Sequence, residues 1–151
     1  MEFILFLSKI DKEIIELINK SNHSIKENTS LCFIDRKFVG FFKKREKSVI
    51  ICTENAKELS GYKKNNTNDN HKTKLYIRRA LRHEATHLAQ SCNKNNAIGD
   101  IKNIENKIHK SKLKALNSSI KISGNYKKEL EAYYMEDKPR KVKQMIKSYC
   151  L

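Results

Sequence analysis

The chain has 151 residues and a formal charge of +15, from 32 Lys and Arg against 17 Asp and Glu. That length suits one domain with one core and argues against a second independent domain. Hydrophobic residues make up 38 %, with one Pro and four Gly, which excludes collagen-like and Pro/Gly-rich disordered classes and leaves a small basic α+β or mostly α domain.

The opening segment, Met1 to Leu7, has about five apolar residues in a row, too few for a spanning helix of about 20 residues. It also lacks the basic start of an export signal, so we expect a buried strand leading into a helix, and a cytoplasmic protein. Ser8-Lys9-Ile10-Asp11 reads as a capping box with Asp in the usual Glu/Gln place. Ile10, Ile14, Leu17 and Ile18 then form one helical stripe that ends near Asn19–Asn22. Leu31–Ile34 and Phe38–Phe42 are rich in strand formers. The second run is joined to Ser48–Cys52 by the basic turn Lys43–Lys47, predicting a hairpin. Gly61–Thr73 is polar, without period, and reads as a surface loop.

From Lys74 to Ser91 the spacing is helical, with Leu75, Ile77, Ala80, Leu81, Ala85, Leu88 and Ala89 apolar on more than one side. Such a helix belongs at the centre of its domain. Ile98, Ile101, Ile104 and Ile108 predict an amphipathic helix continuing through Leu113 and Leu116. Ser123-Gly124-Asn125 breaks the chain before a short helix over Tyr126–Asp137, stopped at Pro139. Val142, Met145, Ile146 and Tyr149 make the apolar face of a last helix. The expected architecture is α+β: a small antiparallel hairpin packed on a central helix, with a Glu-bearing helix towards the C-terminus, in one domain over residues 1–151. Cys32, Cys52, Cys92 and Cys150 form no CxxC pair, which argues against a zinc ribbon or a thioredoxin-like site. They allow three pairings or four buried thiols, and their spacing does not choose.

The central helix carries His83-Glu84-Ala85-Thr86-His87, an HExxH match. Residues four apart on a helix lie about 40° apart around its axis, so both imidazoles leave one face, one turn apart. There they can share one zinc ion, while Glu84 on the neighbouring strip reaches a metal-activated water as general base. With five His in the chain, a chance match is on the order of one in a hundred. The uncharged residues between and after the histidines suit a buried zinc helix.

A third protein ligand is still required. The metzincin continuation is absent, with Gln90 and Asn93 standing in place of its Gly and third His. Glu129 is favoured, with the small Ala132 one turn on to admit a close helix; Glu131 and His109 are the alternatives. Glu129 and Glu131 point about 200° apart on a helix, so only one can serve.

On HExxH and Glu129-Leu130-Glu131-Ala132, residues 38–137 resemble the gluzincin-like HExxH metallopeptidases. That group includes thermolysin and the ImmA/IrrE-type, HtpX-type membrane and mitochondrial ATP-synthase-assembly peptidases. In the latter kinds the third ligand is the Glu of an E-x-x-A segment. The resemblance implies a minimal zincin-like fold, a Zn²⁺ cofactor, a polypeptide substrate, and a tetrahedral oxyanion steadied by Tyr133, Tyr134 or His109. An extended substrate would pair with the hairpin edge near Val49–Cys52. Tyr133 stands where an Asp follows the Ala in some members, which leaves the partner of a zinc histidine unassigned.

Residues 1–60 carry 11 basic and 9 acidic side chains, and residues 61–151 carry 21 and 8. That field also suits nucleic acid, and with His109 as ligand it would fit a protease similar to the SprT type. We place this reading second, because Lys-and-Asn runs such as Lys63–Asn70 point to a general compositional bias. A non-catalytic zinc-stabilised binding module is the remaining alternative; the presence of Glu84 counts against it.

Overall fold

The computed structural model describes residues 1–64 and 70–151. The chain builds α1 (Lys9–Lys20), β1 (Ser24–Glu27), α2 (Ser30–Ile34), β2 (Gly40–Lys43), β3 (Ser48–Ile51) and α3 (Thr53–Ser60). There follow α4 (His71–Cys92), α5 (Ile101–Lys107), α6 (Leu113–Ser123), α7 (Tyr126–Met135) and α8 (Pro139–Cys150), with 3₁₀ turns at Glu2–Phe6 and Lys110–Lys112. The class is α+β, as expected.

The long α4 is the axis of the molecule. It packs against α8, α7, α3, α1 and the sheet, and its Ile77, Leu81, Ala85, Leu88 and Ala89 are fully buried. The sheet order is β1-β3-β2, with β1 parallel and β2 antiparallel to the central β3. Every residue of β3 is buried. Its alternation sends Val49 and Ile51 into the main core and Ile50 to the opposite face, against Cys32, Cys52 and Phe41. The Lys43–Lys47 turn closes the predicted hairpin; the free edge beside it is β2, not the Val49–Cys52 strand, whose two sides are both paired.

Several elements depart from the sequence reading. Met1–Leu7 is a 3₁₀ turn rather than a strand: Phe3 and Phe6, three apart, both face the core, while Leu5 is exposed. The Glu27 carboxylate accepts from the free Glu2 and Phe3 N–H groups. Leu31–Ile34 belongs to a short helix, because β1 occupies the side of β3 that a strand there would need; Cys32 is buried and Leu31 partly so, while Phe33 and Ile34 are exposed. The Ile98–Leu116 helix breaks in two, since Ile108 and His109 are extended. Strand β1 and helix α3 had no periodic signal long enough to predict them. Helix α4 begins at His71, inside the predicted Gly61–Thr73 loop; Asn65–Asp69 of that loop lie outside the described residues. Tyr149 is exposed rather than part of the face of α8.

Other readings hold. Ser8 and Asp11 form the reciprocal capping box of α1, Gly124 takes the left-handed conformation that ends α6, and Pro139 opens α8. The four cysteines are all paired, Cys32 with Cys52 and Cys92 with Cys150. Among the described residues, no helix is long and apolar enough to cross a membrane.

Candidate metal centre

Helical phase brings His83 and His87 to one face of α4, as the spacing predicts. Their Nε2 atoms lie 3.2 Å apart. Glu129, from the first turn of α7, completes a triangle: its Oε2 is 3.3 Å from His83 Nε2 and its Oε1 is 3.2 Å from His87 Nε2. Atoms bound tetrahedrally at about 2.0–2.1 Å from zinc sit about 3.3–3.4 Å from one another. The three side chains therefore already stand at the spacing of a metal's ligand shell, and Glu129 Oε2 is buried without a hydrogen-bond partner. Ala132, fully buried one turn on, lets α7 lie close against α4.

The opposite ring nitrogens are also engaged. His83 Nδ1 is 3.2 Å from Glu136 Oε1, and His87 Nδ1 is 2.8 Å from Gln90 Oε1. Both partners are acceptors, so each Nδ1 serves as donor and each Nε2 is turned towards the other histidine and Glu129. Gln90 is held in turn, its amide donating to Glu131 Oε1 and to the Lys128 carbonyl.

Of the alternative third ligands, Glu131 is fully buried but turned away from the triangle, accepting from Gln90 and from the Ile98 and Gly99 backbone N–H groups. His109 is also displaced from it: its ring caps the 3₁₀ turn through Ser111, on the exposed surface. Both thus lie outside the His83–His87–Glu129 cluster. Tyr133 does reach the site, its ring edge-on to His83 at 4.5 Å between centroids and its hydroxyl bonded to Ser119 of α6. Tyr134 instead packs beneath the Lys138 and Lys141 side chains.

Charge and burial set the protonation of these groups. Burial alone would lower the His83 pKa, but the Glu129 and Glu136 carboxylates beside its ring and the Glu84 charge outweigh it and push it up to about 10. Burial raises the Glu129 carboxyl, yet the two histidines hold it well below the usual carboxylate range. Glu84 is pushed up by burial, against the pull of His83 and His87 and with a contribution from Glu129 and Glu136, as suits a proton acceptor. Burial and nearby carboxylates raise the Tyr133 phenol to about 12, against the Ser119 hydrogen bond, so it remains a donor at neutral pH.

The centre floors a cleft of about 530 Å³ between β2 and α6, with Phe38 to Phe42 on one wall and Ala115, Ser119 and Ile122 on the other. At Gly40 the β2 backbone passes directly over Glu84: a Cβ there would lie 2.9 Å from Glu84 Cγ. The Val39 carbonyl accepts from Cys52 N–H. By the alternation of an antiparallel ladder, the N–H and C=O groups of Gly40 and Phe42 then point away from β3.

Sequence reasoning missed Glu136 and Gln90 as partners of the histidines. A helical signal existed for each. Glu136 lies seven residues after Glu129 and Gln90 seven after His83, a spacing that returns to within about 20° of the same face.

A family model described as Domain of unknown function (DUF8637) matches residues 3–151, and the chain belongs to that family. No curated protein and no solved structure matches the chain.

Proposed function

We propose that this protein is a zinc-dependent metallopeptidase, with His83, His87 and Glu129 as ligands and Glu84 as general base. The single observation that carries the reading is the His83–His87–Glu129 cluster, in which the two Nε2 atoms lie 3.2 Å apart and each stands 3.2–3.3 Å from one Glu129 oxygen, so that all three side chains can reach one metal ion. Bound there, zinc would polarise the scissile carbonyl and lower the pKa of the attacking water. Glu84 takes the proton of that water and passes it to the leaving amine. Tyr133, protonated and on the cleft wall, donates to the developing oxyanion after giving up its bond to Ser119. The outward N–H and C=O groups of Gly40 and Phe42 offer an extended polypeptide a strand to pair with, which would carry its backbone across Glu84. Against the readings with His109 as ligand stands its place on the exposed surface.

The test is hydrolysis of a broad peptide library by zinc-loaded wild type and by Glu84→Gln. The expected result is cleavage by wild type and a loss of at least a hundredfold in Glu84→Gln, with zinc retained. Zinc binding without cleavage by either protein would favour the non-catalytic module instead.

A further inference from the structure

We propose that Lys112 is a positioning residue of the metal centre, acting through Glu136 to aim His83. This inference rests on the metal reading above. Lys112 ends the 3₁₀ turn before α6, far from HExxH in sequence, and its side chain is 11 % exposed. Three oxygens at the end of α7 surround the ammonium, one accepting its hydrogen bond and two pairing with its charge. These are the Tyr133 carbonyl at 2.7 Å, Asp137 Oδ2 at 2.9 Å and Glu136 Oε2 at 3.3 Å.

Glu136 is therefore fixed from three directions. Its Oε1 accepts from His83 Nδ1, its Oε2 is ion-paired with the Lys112 ammonium, and its backbone carbonyl accepts from Arg82 Nη1 at 2.9 Å. Arg82 is itself clamped by both oxygens of the buried Asp11, at 2.8 and 3.1 Å. A carboxylate with only the imidazole N–H as partner could swing about its side-chain torsions. With Lys112 on the other oxygen it keeps one orientation, and so does the ring it holds. The same ammonium bonds the carbonyl of Tyr133, whose ring packs on His83, so one side chain of the α6 segment fixes two neighbours of one ligand.

A double-mutant cycle on zinc affinity tests this in the full chain, using wild type, Lys112→Met, Glu136→Ala and the pair. Outer partners of metal ligands cost 10- to 100-fold in affinity when removed. We expect about a tenfold loss for Lys112→Met in the wild-type background and less than about threefold once Glu136 is alanine. Lys112→Arg, which keeps the charge, should recover most of the affinity. In turnover, Lys112→Met should lower kcat more than it raises KM, since no substrate contact is removed. Equal losses with and without Glu136, or a zinc-binding wild type matched by Lys112→Met, would overturn the inference and leave the metal centre standing. A wild type that binds no zinc would overturn both. If Lys112→Met unfolds at the assay temperature, Lys112→Gln, which keeps a donor for the Tyr133 carbonyl, replaces it in the cycle.

Discussion

His83 is the residue at which protons and a bound metal would compete. At neutral pH its imidazole is charged in the absence of metal, because Glu129 and Glu136 draw its pKa up to about 10 against the opposing effect of burial. A metal must take the lone pair from that proton, so zinc affinity should rise about tenfold per pH unit between pH 6 and 8. Competition titrations against a chelator would measure the slope; a flat profile would contradict the assignment of His83. Gly40 should be as sensitive as any ligand. An added methyl would meet Glu84 Cγ at 2.9 Å and Ala80 Cβ at 3.3 Å, so Gly40→Ala should lower turnover at least tenfold while zinc stays bound, as read from activity beside metal content. Glu27 makes a separate prediction about folding. Burial raises its pKa, but bonds from Thr53 and the Phe3 and Glu2 N–H groups outweigh that and leave it below its ordinary 4.5. A depressed carboxyl stabilises the fold above the unfolded pKa, and that contribution is lost as pH falls through the folded one. Glu27→Gln should therefore lower the melting temperature at pH 7, and the gap to wild type should close as pH falls through the depressed pKa of the folded carboxyl.

Among the elements, long amphipathic segments were legible and short ones were not. Helix α4 announced itself through seven apolar positions and the HExxH spacing, and α1 through its capping box, because both signals are local. The Leu31–Ile34 run misled: strand-forming side chains there meet a sheet whose positions beside β3 are already taken, and the Cys32–Cys52 bridge holds the segment as a helical turn. The break at Ile108 was invisible because isoleucines at spacings of three and four run up to it and Leu113 and Leu116 resume an apolar stripe beyond it. At the site, the spacing of His83 and His87 fixed their shared face. Glu129, Glu136 and Lys112 depend on how α7 and the turn before α6 dock, which no single-segment pattern encodes. The disulfides belong to this scale too. Cys92–Cys150 ties the end of α4 to the end of α8 across 58 residues of sequence, and Cys32–Cys52 spans 20. Loop-closure entropy puts their contributions at about 4 and about 3 kcal/mol. Cys92→Ser with Cys150→Ser should thus lower the melting temperature more than the Cys32/Cys52 pair does, by calorimetry; the reverse order would show that loop closure is not what these bridges supply.

Over the whole molecule, the centre lies where the sheet edge, α4 and α7 converge, with α6 closing the far side of the cleft. Part of the positive charge that dominates residues 61–151 is engaged in holding this arrangement together. Arg78 bonds the Phe6 carbonyl, Arg79 the Asp137 carboxylate, Arg82 Asp11 and Lys112 the end of α7. These contacts draw the N-terminal turn, α1 and α7 onto α4, which makes fold and ligand geometry one structure. Bound metal should therefore stabilise the fold, since a ligand held only by the native state shifts unfolding by mass action. The most direct test of the account is zinc content after dialysis, by elemental analysis, across single variants. Wild type, Glu84→Gln and His109→Ala should each hold one zinc per chain, and His83→Ala, His87→Ala and Glu129→Ala should hold none. A metal-free wild type, or a Glu129→Ala protein that keeps its zinc, would contradict it.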